Sequence, residues 1–255
     1  MLNAAVHEAG ALALSMFGTA VKTWTKGHGS PVTAADIAAN DLLRERLGEA
    51  APGTAWLSEE SVDEAVRRSA RRVWVVDPID GTRAYIAGRT DWAVSAALVE
   101  DGRPILAALF APAEPAFYAA VAGKGASLDG APITAADGTH FEGARVAGPK
   151  SYVERLMALG LAIEPVPRVH SIALRFAQVA RGTLDIAFSA GSSHDWDLAA
   201  ADLLVHEAGG ALTTLAGRPL VYNRAELVHG PLVAAGRGRH EKLTELVRRH
   251  FDTQP

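Results

Sequence analysis

From Arg72 onward the apolar residues stop recurring every three or four positions and gather into short runs, and this change of period constrains the fold more than any other feature. The runs are Val73–Val76, Ala93–Val99, Ile105–Phe110 and Phe117–Val121, punctuated by Asp101-Gly102 and later by Asp129-Gly130. Asp-Gly between apolar runs favours a tight hairpin, because glycine supplies the positive φ such turns require. An antiparallel meander is the natural reading. Ahead of it, Leu2, Val6, Ala9, Leu12, Ala13 and Met16, and then Ile37, Leu42, Leu43 and Leu47, keep helical spacing over residues 2–17 and 33–47, so two amphipathic helices open the fold. The stretch Thr23 to Pro31 between them is rich in small and turn-forming residues and reads as a mobile loop that could lie over a site.

Past about Gly143 the pattern alternates. Ala144–Ala147 and Leu184–Phe188 look like strands, Ile172–Ala180 and Leu198–Ala208 like helices, and a last strand and helix fall around Leu232–Ala235 and Glu241–His250. Such alternation predicts a layered α/β half. The expected division is an α+β unit over residues 1–143 and a smaller α/β unit over 144–255.

The 255 residues are 49% apolar and 21% charged, a balance that supports a large core and excludes disorder. A net charge of -4 offers no general attraction for a nucleic-acid polymer. With no cysteine there is no disulfide, no thiolate metal site and no cysteine nucleophile, which fits a cytoplasmic protein. The first residues lack the basic lead and apolar core of a secretory signal. The most apolar region, Trp92 to Ala111, is interrupted by Glu100, Asp101 and Arg103, so no membrane span is expected.

The chemistry concentrates in Val73-Trp74-Val75-Val76-Asp77-Pro78-Ile79-Asp80-Gly81-Thr82. An apolar strand delivers Asp77 to its end, Pro78 keeps Asp77 extended, and Asp80 follows after a turn, so two carboxylates can converge beyond the strand. Gly81 allows close backbone approach to a ligand, and Thr82 can start a short helix whose free N–H groups hold a phosphate. Taken alone, the segment reads equally well as a capped strand end and a turn. Ser58-Glu59-Glu60-Ser61 is a second acidic element, with a solvated helix start as its competing reading. The third is His194-Asp195-Trp196-Asp197 before an apolar helical stripe ending at Glu207-Ala208-Gly209-Gly210, where Asp197 could be a simple N-cap. None of the nine histidines forms a His-Glu-x-x-His pattern, and no serine sits in a Gly-x-Ser-x-Gly elbow.

Taken together and in order, these elements resemble the inositol monophosphatase family, and the resemblance covers nearly the whole chain. Asp77-Pro78-Ile79-Asp80-Gly81-Thr82 matches its most specific motif and Trp196-Asp197 with Glu207-Ala208-Gly209-Gly210 its C-terminal motif. Ser58-Glu59-Glu60-Ser61 matches its Gly-Glu-Glu element with serine for glycine, and Val32-Thr33-Ala34-Ala35-Asp36 its early Val-Thr-x-x-Asp segment. The resemblance implies an αβαβα sandwich and a magnesium-dependent, lithium-sensitive phosphomonoesterase with two to three ions, acting as a homodimer on a small phosphorylated metabolite. It implies that Glu59, Asp77 and the Ile79 carbonyl hold one magnesium and Asp77, Asp80 and Asp197 a second, with Glu59 also touching a third through water. Asp36 then accepts a hydrogen bond from Thr82, and Thr82 with Glu59 orients the attacking water.

The resemblance also locates the substrate wall, in Phe188 to Asp195. Inositol phosphatases commonly carry a glutamate six residues before the tryptophan, where this chain has Ala190. Ser192, Ser193 and His194, with Asp80, Gly81 and Thr82, are the expected substrate contacts, and Gly191 to His194 leave room for a larger polar leaving group. With Asp80-Gly81-Thr82-Arg83-Ala84-Tyr85-Ile86, the stretch looks like bacterial 3'(2'),5'-bisphosphate nucleotidases; inositol-1-phosphate and then histidinol phosphate are the alternative substrates. A non-catalytic phosphate or nucleotide sensor is the alternative from another class, disfavoured because every metal ligand and the Asp36/Thr82 pair are present.

Overall fold

The computed structural model describes residues 1–25 and 31–250. Its elements run α1 (Leu2–Met16), β1 (Thr23–Thr25), β2 (Pro31–Thr33), α2 (Ala34–Ala50), β3 (Ala55–Ser58), a 3-10 turn (Ala65–Ser69), β4 (Arg72–Asp80), α3 (Thr82–Ile86), β5 (Ala93–Glu100), β6 (Arg103–Ala111), β7 (Ala116–Val121), β8 (Ala126–Leu128) and β9 (Ala131–Ile133). There follow β10 (Arg145–Ala147), α4 (Lys150–Ala158), β11 (Glu164–Pro165), α5 (Ile172–Ala180), β12 (Ile186–Ser189), β13 (Ser193–His194), α6 (Asp195–Glu207), β14 (Gly210–Thr214), β15 (Val228–His229), β16 (Leu232–Gly236) and α7 (Arg237–His250).

The meander is a seven-stranded sheet, ordered β3 to β9, antiparallel except for β3 on β4. A five-stranded sheet has the order β11-β10-β12-β16-β14. Helices α1 and α2 cover one face of the large sheet, α5 and α6 lie between the two sheets, and α4 and α7 pack the far face of the small one. This is the five-layer αβαβα sandwich.

Because helices cover both faces of the large sheet, its strands are apolar on both. Trp74, Val76, Val94, Ala96, Leu98, Ala108 and Phe110 face the layer of α1 and α2, while Val73, Val75, Ala97, Val99, Ala107 and Leu109 face that of α5 and α6. Gly10 in α1 lets the helix settle onto Phe110, whose ring a Cβ there would meet at 2.3 Å.

Three local expectations change. The Thr23 to Pro31 segment contains β1 and the first residue of β2, paired antiparallel from Thr23↔Thr33 to Thr25↔Pro31, and residues 26–30 of the expected loop lie outside the described residues. Strand β4 does not stop at Asp77 but runs on to Asp80 through a bulge: Asp77 pairs with Ser95 and Asp80 with Ala93, so three steps on one strand match two on the other. Pro78, with no N–H to give a ladder, falls inside that irregularity. Helix α6 begins at Asp195, with His194 as its N-cap, which makes Asp197 the third helical residue.

Candidate active site

Asp77 and Asp80 leave the end of β4 beside the start of α6, and ligand oxygens of Asp77, Asp80 and Asp197 all lie within 4.8 Å of one another. Each carboxylate is held. Asp77 Oδ1 accepts from the Ile79 N–H at 3.0 Å. Asp80 Oδ2 accepts from Ser171 Oγ at 2.5 Å and from the Ala173 N–H at 2.6 Å, so it sits on the N-terminus of α5, where free N–H groups favour negative charge. Asp197 Oδ2 accepts from the His194 N–H at 2.7 Å, the bond that closes the first turn of α6.

Crowding three acids in a buried place is costly without a counter-charge. Burial first, then the charges of Glu59, Asp80 and Asp197, hold the Asp77 carboxyl well above the usual range. Burial and the Asp80 charge do the same to Asp197. Asp80 rises to about 6 through burial, opposed by Ser171, the α5 N–H groups and the Arg175 charge. Among the described residues no ion pair reaches the three. An all-oxygen donor set of this kind fits a hard divalent cation such as magnesium.

Glu59 follows the edge strand β3, its N–H on the Val76 carbonyl at 3.3 Å. It stands outside the trio, but its charge acts on Asp77, Asp197 and Asp36. Beneath it Ser58 Oγ donates to Asn40 Oδ1 at 2.7 Å, and Trp56 Nε1 donates to Ser61 Oγ at 3.0 Å. Asp36 comes from the first turn of α2, where it completes a capping box: Thr33 donates its N–H and its hydroxyl to Oδ2 at 2.8 and 2.6 Å. The Thr82 hydroxyl lies 3.2 Å from Asp36 Oδ1 and 3.1 Å from the Ile79 carbonyl, which retains a second lone pair. Burial raises Asp36 to about 6 against the pull of the Thr33 bonds. Gly81, between Asp80 and Thr82, has φ +96°, and a Cβ there would meet the Asp91 carbonyl and the Ser171 nitrogen at 3.3 Å.

The expected substrate wall divides. Ser192 is exposed with φ +63°, and His194 is half-buried with its ring stacked on Trp196 at 4.6 Å between centroids. Ser193 is fully buried, its hydroxyl 2.7 Å from that of Ser189, so the structure does not bring it to the surface with its neighbours. Two residues absent from the sequence reading belong here. Ser171 anchors Asp80 and also caps α5 through the Leu174 N–H at 2.9 Å; its signal was a serine directly before an apolar helix. Arg175, 4% exposed, donates to the carbonyls of Val169 and Phe188, tying the entry to α5 to the end of β12; burial lowers it to about 10.

Comparison with known proteins agrees with this geometry. The profile described as "Inositol monophosphatase family" matches residues 1–252. The chain is 38% identical to the "3'-phosphoadenosine 5'-phosphate phosphatase" of Mycobacterium leprae, over 76% of this chain and 73% of that one. It is 37% identical to a "Glucose-1-phosphate thymidylyltransferase" of Streptomyces griseus, over 81% of each, and 36% identical to the "Histidinol-phosphatase" of Mycobacterium tuberculosis, over 76% of this chain and 77% of the other. Among solved structures it superposes on the extragenic suppressor protein suhB of Bartonella henselae with a TM-score of 0.85 and 25% identity, covering 96% of both. No described helix is long and apolar enough to cross a membrane.

Proposed function

The chain belongs to the inositol monophosphatase family, and from that premise we propose that it is a magnesium-dependent phosphoric monoester hydrolase acting on adenosine 3',5'-bisphosphate. The observation that carries the reaction class is the convergence of Asp77, Asp80 and Asp197 beside Glu59. In this reading Glu59, Asp77 and the Ile79 carbonyl would hold one magnesium, and Asp77, Asp80 and Asp197 would hold another. Bound magnesium neutralises the phosphate and stabilises charge on its entering and leaving oxygens.

The chain's own groups do the positioning. Thr82 gives its one proton to Asp36 or to the Ile79 carbonyl, so its lone pairs are left to accept. A water donating to Thr82 Oγ1 and to Glu59 then keeps a lone pair free for attack on phosphorus: the new P–O bond forms as the ester P–O bond breaks, one water proton passes to Glu59, and the departing alkoxide takes a proton from solvent. Gly81 and Thr82 contribute backbone N–H groups to the phosphate, and Ser192 and His194 face the leaving group.

Overall identity does not choose the alcohol, since relatives at 36–38% carry different names. Position 190 supports the nucleotide: an exposed alanine, directly after β12, stands where inositol phosphatases commonly place a glutamate. Phosphate release from adenosine 3',5'-bisphosphate, inositol-1-phosphate and histidinol phosphate, with and without magnesium, tests this. The nucleotide should show the highest kcat/KM, and Ala190→Glu should move the ratio toward inositol phosphate by ~10-fold, the scale of one good polar contact. A native preference for inositol-1-phosphate that Ala190→Glu leaves unchanged refutes the substrate assignment.

A further inference from the structure

The segment after Glu59 and the first turn of α6 are joined by hydrogen bonds that neither the carboxylate trio nor the substrate wall uses. Arg67, in the 3-10 turn, is 1% exposed. Its guanidinium grips Asp63 with both forks, Nε to Oδ1 at 2.5 Å and Nη2 to Oδ2 at 2.9 Å, while Nη1 donates to Asn223 Oδ1 at 2.8 Å and to the Arg224 carbonyl at 3.0 Å. Asn223 Nδ2 donates back to the Arg67 carbonyl at 2.9 Å, and the Asn223 N–H donates to Asp195 Oδ2 at 2.7 Å. The other Asp195 oxygen lies 2.7 Å from His229 Nε2, and the Asp195 N–H donates to the Leu227 carbonyl at 3.1 Å. Asp195 opens α6, two positions before Asp197.

A buried arginine that only filled space could be replaced by an apolar side chain at less cost in desolvation. Here all its donor nitrogens are engaged, and what they connect is informative. Glu59 leaves the edge of the seven-stranded sheet and Asp197 leaves α6, and the two carboxylates repel each other. Something must resist that repulsion when no cation is bound.

We propose that Arg67, Asn223 and Asp195 form a brace that holds the turn after Glu59 against the start of α6 and thereby sets the carboxylate spacing on which magnesium affinity depends. They are positioning residues, and the inference rests on the phosphatase reading above. Asn223 has φ +60°, so Asn223→Gly removes both side-chain bonds to Arg67 while leaving the backbone at ease and its N–H on Asp195. Metal-stripped, substrate-free protein is titrated with magnesium chloride in a calorimeter. Asn223→Gly should raise the Kd roughly fivefold, the worth of about one hydrogen bond. Asn223→Asp, which keeps the acceptor for Arg67 Nη1 but loses the donor to the Arg67 carbonyl, should raise the Kd less than Asn223→Gly does. If Asn223→Gly does not fold, Arg67→Lys takes its place, because lysine keeps the pair with Asp63 and loses the fork that reaches Asn223 and Arg224; the same rise is expected. A variant with a lower Tm and an unchanged Kd overturns the brace alone, whereas a parent protein that binds no magnesium overturns the phosphatase reading and the brace together.

Discussion

Replacing Asp77 by asparagine should stabilise the metal-free protein while removing its activity. Oxygens of Asp77, Asp80 and Asp197 lie within 4.8 Å of one another. For two full charges at that separation and an effective dielectric constant near 20, Coulomb repulsion is about 3.5 kcal/mol. Partial protonation relieves some of this in the parent, so the expected gain is about 1 to 3 kcal/mol, or roughly 2 to 10 °C in Tm for a chain of this size. Asparagine is nearly isosteric and its Oδ1 can still accept the Ile79 N–H, so no void opens and that donor keeps its partner. The sign with pH follows from the raised carboxyl. The folded state binds the Asp77 proton more tightly than the unfolded chain, so the parent loses stability as pH rises through the folded pKa and the variant does not. The advantage should widen as pH rises above the ordinary carboxylate range, because the unfolded chain gives up this proton first. Urea titrations in EDTA, repeated with saturating magnesium, provide the assay: the parent should gain most from magnesium, and Asp77→Asn should show little gain and no magnesium-dependent phosphate release. A metal-free Asp77→Asn protein less stable than its parent at pH 8 refutes the electrostatic argument.

Ser171→Ala removes an N-cap and a bond to a buried carboxylate, together about 2 to 4 kcal/mol, measurable by urea denaturation; a loss under about 0.5 kcal/mol would show that Ser171 does not anchor Asp80. Thr82→Ala should lower kcat by ~10²-fold with the calorimetric magnesium affinity little changed, and the reverse pattern would reassign it. His240 is 6% exposed and its ring lies 2.9 Å from Thr213 Oγ1; burial holds the imidazole down to about 4. Because the folded pKa is below the unfolded one, this stability is present above pH 6.5 and is lost as pH falls toward 4, by about 3 kcal/mol. His240→Gln should remove that segment of the pH–stability curve, and an unchanged curve would show that His240 does not cause it.

The sequence conveyed what is local. Asp-Gly pairs marked the β5–β6 and β8–β9 hairpins of the large sheet, and period-three-and-four spacing marked α1 and α2. Helix α4 escaped notice because only Val153 and Leu156 of its nine residues are buried, too short a stripe to stand out. What joins distant segments was not legible: Ser171 reaches Asp80 across 91 positions, and Arg67 reaches Asn223 across 156. The neighbouring serines 192 and 193 look alike in sequence, yet Ser193 belongs to a two-residue strand on β15 and turns inward.

The bulge at the end of β4 has a consequence for how this chain can change over time. On a regular strand, residues three apart point to opposite faces, so Asp77 and Asp80 would be separated by the sheet itself. One surplus residue alters the parity, and parity is a whole number that no point substitution can adjust. Side chains on the substrate wall can drift one at a time, each with a graded effect. Losing or gaining a residue between Asp77 and Asp80 would instead flip one carboxylate out of the site in a single step, so the length of this segment is frozen even where its composition is not.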